Sequence, residues 1–293
     1  MWHFISEHIS EQTQNDFVVQ SFHRVAGGDT HDCYIVKDDT HRYFVKTSTA
    51  LTIDAFSREA EGLSAIRGTN TLACPRVICT GEVTTNEVPV AYLVLQHIKF
   101  QSGSFDQWST LGEQLATMHQ STTAIEQFGW PHPNYLGATL QQNTQTESWA
   151  HFFAEHRIGA MLEKLARKDV RIINPDHFVE RVLIFLSDHK PTPSLVHGDL
   201  WSGNVGFCKH GPVVFDPAVY VGDAETDIAM TELFGRFKIN FYNAYYQRLP
   251  TQPGYEARKQ IYQLYHLLNH ALLFGGDYVS SSQSIIQQFL HQY

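Results

Sequence analysis

One stretch restricts this chain more than any other: His197-Gly198-Asp199-Leu200-Trp201-Ser202-Gly203-Asn204, then Val205-Gly206-Phe207-Cys208, Lys209-His210-Gly211, Pro212-Val213-Val214-Phe215 and Asp216. Two apolar runs around a polar, glycine-containing turn predict a β-hairpin. A hairpin returns its ends to one place, so this reading sets Asn204 beside Asp216. Paired oxygen donors suit Mg²⁺, a hard cation that takes few protein ligands and completes its shell with phosphate and water. Any one of these residues alone would suit a helix cap or a turn. In this order and spacing they point to a nucleotide–metal site.

Asp199 and Asn204 are separated by four residues, as in the H-R-D-x-x-x-x-N catalytic loop of protein kinases. Asp199 is then the catalytic carboxylate. With a reference pKa of about 4 it is a weak base toward an alcohol. Its work is to orient the attacking hydroxyl and accept the proton late, because phosphoryl transfer is loose and needs little early deprotonation.

The first third of the chain reads as strands around one helix, Ile53 to Arg67, with Gly68 as its C-terminal cap. Phe56, Leu63 and Ile66 make the inner stripe of that helix, and Glu59 falls on it, whereas Glu61 does not. An inward carboxylate is costly unless paired. Lys46, at the end of the strand-like Tyr43-Phe44-Val45-Lys46, supplies the partner, and such a pair presents a lysine to the α- and β-phosphates of ATP. Upstream of Lys46, Gly27-Gly28-Asp29 precedes a strand beginning near Cys33-Tyr34; it is either a plain turn or a loop whose backbone approaches phosphate. Val90 to Leu95 reads as a further strand, and Gln96, His97 and Ile98 follow as the hinge where adenine would pair with backbone groups.

Beyond Leu95 helical patterns take over: one ending near His119, then Glu147–Lys168, Asp176–His189, Asp223–Phe237 and Tyr255–Phe274. The expected fold class is α+β with two lobes. A small antiparallel-sheet lobe with one helix, residues 1–96, binds ATP, and a larger, mostly helical lobe, residues 97–293, carries catalysis and acceptor binding. Asp227 stands at the start of the Asp223 helix, either as a cap or as support for the catalytic loop. His266 and His270 are four apart on a helix without the glutamate of a zinc motif, and are read as surface or core histidines.

Composition excludes other classes. The net charge is −9 and no Lys/Arg cluster stands out, so a nucleic-acid partner is not expected. No apolar run approaches the roughly 20 residues that span a bilayer, and the N-terminus lacks a signal-peptide pattern. Cys33, Cys74, Cys79 and Cys208 form no CxxC pair. A cytoplasmic protein, without membrane partners, is the expectation.

Taken together, the segments His197–Asn204, Phe215-Asp216-Pro217-Ala218, Gly222–Phe237, Gly27-Gly28-Asp29, Phe44-Val45-Lys46 and Phe56–Leu63 resemble the fructosamine kinases. These are relatives of the aminoglycoside and choline kinases within the protein-kinase-like fold, and the resemblance covers nearly the whole length. It implies ATP- and Mg²⁺-dependent phosphorylation of a sugar hydroxyl, in the family the 3-hydroxyl, of a ketosamine such as fructosyl- or ribulosyl-lysine, free or on a glycated protein. Carried over residue by residue, Asp199 is catalytic, Asn204 and Asp216 bind Mg²⁺, and Lys46 with Glu59 positions ATP. Trp201 either lines the sugar pocket or is a buried structural indole. The chain departs from the family at Thr30-His31 and at Pro133, where relatives usually place an Asp, and Cys33 lies too late in its loop to carry over redox regulation. A kinase of another small alcohol (aminoglycoside, choline-like amine or methylthioribose) and a non-catalytic pseudokinase are the competing readings.

Overall fold

The structure, a computed structural model, describes residues 1–25, 31–121 and 126–293. It divides into two compact units, one formed by Met1–Gly103 with Gly206–Asp216, the other by Ser104–Val205 with Pro217–Tyr293.

The first unit opens with α1 (Trp2–Thr13), β1 (Ser21–Val25), β2 (Asp32–Lys37), β3 (Arg42–Ser48), α2 (Ile53–Gly68), β4 (Val77–Thr85) and β5 (Val88–Gln96). The strands form one antiparallel sheet in the order β1-β2-β3-β5-β4. Side chains alternate across a strand, and this decides what each face does. Tyr43, Val45, Val94 and Ile78 join Ile5 and Ile9 of α1 in one apolar cluster. Lys46 and Leu93, paired across β3 and β5, point to the other face, where α2 packs on β4 and β5. Helix α2 buries Ala55, Phe56, Gly62, Leu63 and Ile66, the stripe expected from its spacing. Burying Leu63 or Ile66 fully is worth about 2 kcal/mol each. Two details differ from expectation. Gly68 is the last helical residue and Thr69 the cap, and α1 adds a second helix, its inner face resting on Ile5, Ser6 and Ile9.

The second unit starts with α3 (Phe105–Gln120), β6 (Asn134–Leu136), β7 (Thr139–Gln141), α4 (Trp149–Phe153), a π-helical turn (Ala154–Gly159), α5 (Ala160–Arg167), α6 (Pro175–Leu186) and β8 (Ser194–Val196). Ser104 and Gln107 close a reciprocal capping box at the start of α3. The hairpin β9 (Val205–Cys208) and β10 (Gly211–Val214) follows where it was expected. From Gly206 onward it packs with the first unit: Gln101 N–H donates to Phe207 O at 2.8 Å, Val214 N–H to Ala73 O at 2.9 Å, and the Phe100 and Phe215 rings stack. The chain then returns to the second unit as β11 (Tyr220–Gly222), α7 (Glu225–Thr231), α8 (Ile239–Arg248), α9 (Tyr255–Phe274) and α10 (Asp277–Gln292).

Helix α9 runs over the expected residues and contributes Ile261, Tyr262, Leu264, Tyr265 and Leu268 to the core of this unit. Helix α7 is shorter than the expected Asp223–Phe237, and the left-handed Gly235 (φ 100°) lies in the stretch where a longer helix would have run. The expected Glu147–Lys168 helix is interrupted by the π turn. There Arg157 is fully buried over the rings of Phe152 and Tyr220 and donates to Gln142 O and Asn143 Oδ1. Among the described residues no helix is long and apolar enough to cross a membrane.

Candidate active site

In the first unit, Lys46 is 2% exposed and its Nζ donates to Glu59 Oε1 and to Asp216 Oδ1, each at 2.6 Å. Strand β3 aims the lysine toward α2, and the interior stripe of α2 brings Glu59 to meet it. Asp216 arrives from the end of the hairpin in a left-handed backbone conformation (φ 56°). Burial opposes the lysine's charge, but the two carboxylates outweigh it and hold its pKa above the ordinary value. Two carboxylates share one ammonium, so one negative charge is left over. Glu59 is the more enclosed of the two, 15% against 33% exposed, and burial pushes its pKa up to about 7. Glu61 lies off the stripe and pairs with Arg58 at 3.0 Å. Cys33, opposite Lys46 in the β2–β3 register, is buried, and burial pushes its thiol up to about 11. A thiol that far from ionising is a poor nucleophile.

In the second unit, Asp199 sits on the loop after β8. Asn204 closes that loop: its Nδ2 donates to Asp199 O at 2.9 Å and to Asp199 Oδ2 at 3.0 Å. With its amide nitrogen so engaged, Asn204 presents Oδ1 as a hard donor, and Asp216 offers carboxylate oxygens. That donor chemistry fits Mg²⁺.

The loop is anchored from beneath by Asp227 of α7. Its Oδ2 accepts the His197 backbone N–H at 2.7 Å, its Oδ1 accepts that of Gly198 at 2.9 Å, and His119 Nε2 lies 3.1 Å from Oδ2. Loop support is therefore what Asp227 does. Burial works against its charge, but His119 and the backbone amide outweigh that and hold the carboxyl below the usual range. His119, itself oriented by Tyr245 OH at 2.8 Å, was missed by sequence reasoning. The available signal was a histidine one position after Met118 on the inner face of α3. Gly198 has φ 80°, and a Cβ there would lie 2.1 Å from Ala218 O, so only glycine fits.

Trp201 is half-buried; its indole lies over Gly203 and meets Phe234 edge-on at 6.0 Å. Gln96 ends β5, and its N–H donates to Arg76 O at 2.8 Å. The backbone groups of His97 and Ile98 pair with no other backbone group among the described residues. Gly27 and Gly28 lie outside the described residues. Pro133 lines a cavity of about 180 Å³ with Trp130, His132 and Asn143. His266, read as a core or surface histidine, is buried, and its Nδ1 lies 3.7 Å from Asp199 Oδ1.

Comparison with known proteins gives the family and the fold. The family model described as fructosamine kinase matches residues 1–292. A probable ketoamine kinase of Synechocystis sp. is 44% identical over 290 residues, 99% of this chain and 97% of that one. The chloroplastic protein-ribulosamine 3-kinase of Arabidopsis thaliana is 38% identical over 271 residues, 91% of this chain and 81% of that protein. Among solved structures, a candidate fructosamine-3-kinase from Haemophilus somnus superposes with a TM-score of 0.93 at 32% identity, covering 99% and 98% of the two chains. An aminoglycoside phosphotransferase in ternary complex with AMP-PNP and hygromycin B matches at a TM-score of 0.66 and 14% identity, covering 98% of each chain, and shows a shared protein-kinase-like α+β fold. The chain belongs to the fructosamine kinase family.

Proposed function

We propose that this kinase transfers the γ-phosphoryl group of ATP to a sugar hydroxyl, the 3-hydroxyl, of a ketosamine such as fructosyl- or ribulosyl-lysine. The observation that carries the reading is Asp199: a carboxylate 22% exposed, held by Asn204 on a loop anchored by Asp227. It is a hydrogen-bond acceptor fixed in place yet open to an incoming hydroxyl. Asp199 orients that hydroxyl and takes its proton late in the transfer. Lys46, kept charged by Glu59, steadies the α- and β-phosphates. Asn204 Oδ1 and Asp216 would hold Mg²⁺, which neutralises phosphate charge when bound. Asp216 would then exchange part of its bond with Lys46 for the cation.

Gly27 and Gly28 would close over the phosphates, and the backbone groups of His97 and Ile98, next to Gln96, would receive the adenine edge. Trp201 would lie against the sugar, an amphipathic ring suited to a face that is apolar between its hydroxyls. The phosphorylated ketosamine is unstable and breaks down with release of the amine. On a glycated protein in the cytoplasm, the reaction is a repair of the lysine side chain.

The test is a panel of acceptors (ribulosyl-lysine, fructosyl-lysine, kanamycin, choline and methylthioribose) with ATP and Mg²⁺, reading ADP release and locating the phosphate by ³¹P–¹H correlation. Preference for a ketosamine, with phosphate on its 3-oxygen, supports the reading. Preference for one of the other alcohols keeps the kinase and removes the substrate.

A further inference from the structure

His266 of α9 is 5% exposed. Its Nδ1 is fully enclosed and has no hydrogen-bond partner among the described residues. The position of that nitrogen gives the orphan a meaning, for it faces Asp199 Oδ1 across 3.7 Å, just beyond hydrogen-bond reach. The other oxygen, Oδ2, is the one that Asn204 holds. Asn204 thus holds one oxygen of Asp199, and the other faces a buried imidazole nitrogen that has no hydrogen-bond partner among the described residues.

Protonation follows from the surroundings. Burial, with His270 nearby, pushes the His266 pKa down to about 3, so the ring is neutral. A neutral imidazole carries one N–H. A lone pair on Nδ1 aimed at a carboxylate oxygen would be repelled, so the hydrogen belongs on Nδ1 and points at Asp199. Catalytic hydrogen bonds are often long in the free enzyme and tighten in the reacting complex.

We propose that His266 is a positioning residue whose Nδ1–H closes onto Asp199 Oδ1 when the acceptor hydroxyl arrives, so that the carboxylate is held at both oxygens, by His266 and by Asn204. Fixing both oxygens sets the direction in which Asp199 receives the hydroxyl. His266 is not among the groups proposed to hold ATP or Mg²⁺, so ATP binding is expected to stay unchanged. The inference rests on the role of Asp199 in phosphoryl transfer proposed above.

Two variants test it. His266→Phe keeps a ring in the cavity and removes the donor. His266→Asn places an amide N–H near the position of Nδ1. With whichever acceptor the wild type phosphorylates best, His266→Phe is expected to lower kcat about 10- to 100-fold with the KM for ATP unchanged. His266→Asn should recover kcat to within about 5-fold of wild type. In an Asp199→Asn background, His266→Phe should cost less than about 2-fold, because residues that act as a unit are not additive. Full activity in His266→Phe overturns the proposal. So does an equal loss in the Asp199→Asn background, or an Asn variant as impaired as Phe at an unchanged melting temperature.

One arm needs no acceptor. In ¹⁵N-labelled protein, the His266 ring, assigned by its disappearance in His266→Phe, should appear as the neutral Nδ1–H tautomer. The Nε2–H tautomer overturns the inference by itself. Failure of the ketosamine reading appears separately, as wild type that prefers another acceptor.

Discussion

Asp216 is bound to Lys46 at 2.6 Å, and the same carboxylate is proposed to take the metal. Its replacement therefore has two consequences that pull apart. Removing the side chain in Asp216→Ala leaves Lys46 paired with Glu59 alone, a simple one-to-one ion pair, so the fold of the first unit should survive. Metal-dependent nucleotide binding should weaken by about tenfold or more, the loss of one charged metal ligand. Titration calorimetry with ATP, with and without Mg²⁺, reads both. Unchanged magnesium dependence would remove Asp216 from the metal shell. Lys46 is less forgiving: it is almost fully enclosed between two carboxylates, and deleting it strands buried negative charge at a cost of about 3–5 kcal/mol.

At the scale of elements, the loop after β8 is shaped from below by α7 and α3. Gly198→Ala places a Cβ against the Ala218 carbonyl at a left-handed φ; kcat should fall by about two orders of magnitude as Asp199 is displaced, and steady-state turnover measures this. Asp227→Asn weakens three contacts at once and should destabilise the protein by about 2 kcal/mol near neutral pH. The sign of its pH dependence follows from a folded-state pKa below the ordinary value of 3.8. The contribution is complete above that value and is lost as pH falls through the lower, folded one. Urea titrations of wild type and variant should differ by a constant amount above about pH 5, and the gap should close only as the pH falls below 3.8 and through the folded value. A gap that persists into acid would mean that the charge of Asp227 is not what holds the loop.

The same scale shows what was legible in the chain. The α2 stripe carried both a helix and the inward direction of Glu59, because a 3.6-residue period fixes which side chains share a face. Helix α9 was legible to the residue, since its apolar positions recur without interruption. Helices α1, α8 and α10 were not. Helix α10 buries only Ser282, Ile286 and Phe289, and two apolar anchors in 16 residues leave a weak period. The π turn at Arg157 was invisible because an extra residue in a helix leaves composition unchanged. In the site, paired carboxylates announced themselves by charge on an apolar face. His119 and His266 did not, because a buried histidine looks like any other core residue until its neighbours are known.

For the molecule as a whole, the described groups fall into two sets. Lys46, Glu59 and Asp216 belong to one compact unit, and Asp199, Asn204, Trp201 and His266 to the other. The hairpin β9–β10 belongs to the first unit from Gly206 onward, although it follows the catalytic loop directly in sequence. The proposed reaction draws Lys46, Glu59 and the metal ligand Asp216 from the first set, and the acceptor-handling groups together with the metal ligand Asn204 from the second. Damage to Lys46 or Glu59 should therefore appear in ATP affinity, and damage to Asp199 or His266 in turnover.

The measurement that bears most directly on the central claim compares wild type with Asp199→Asn, using ATP, Mg²⁺ and ribulosyl-lysine and following ADP release beside ATP affinity by calorimetry. The account predicts ketosamine-dependent turnover in the wild type and a fall in kcat of about two orders of magnitude or more in the variant, with ATP affinity within about threefold. Near-normal turnover in Asp199→Asn would contradict it.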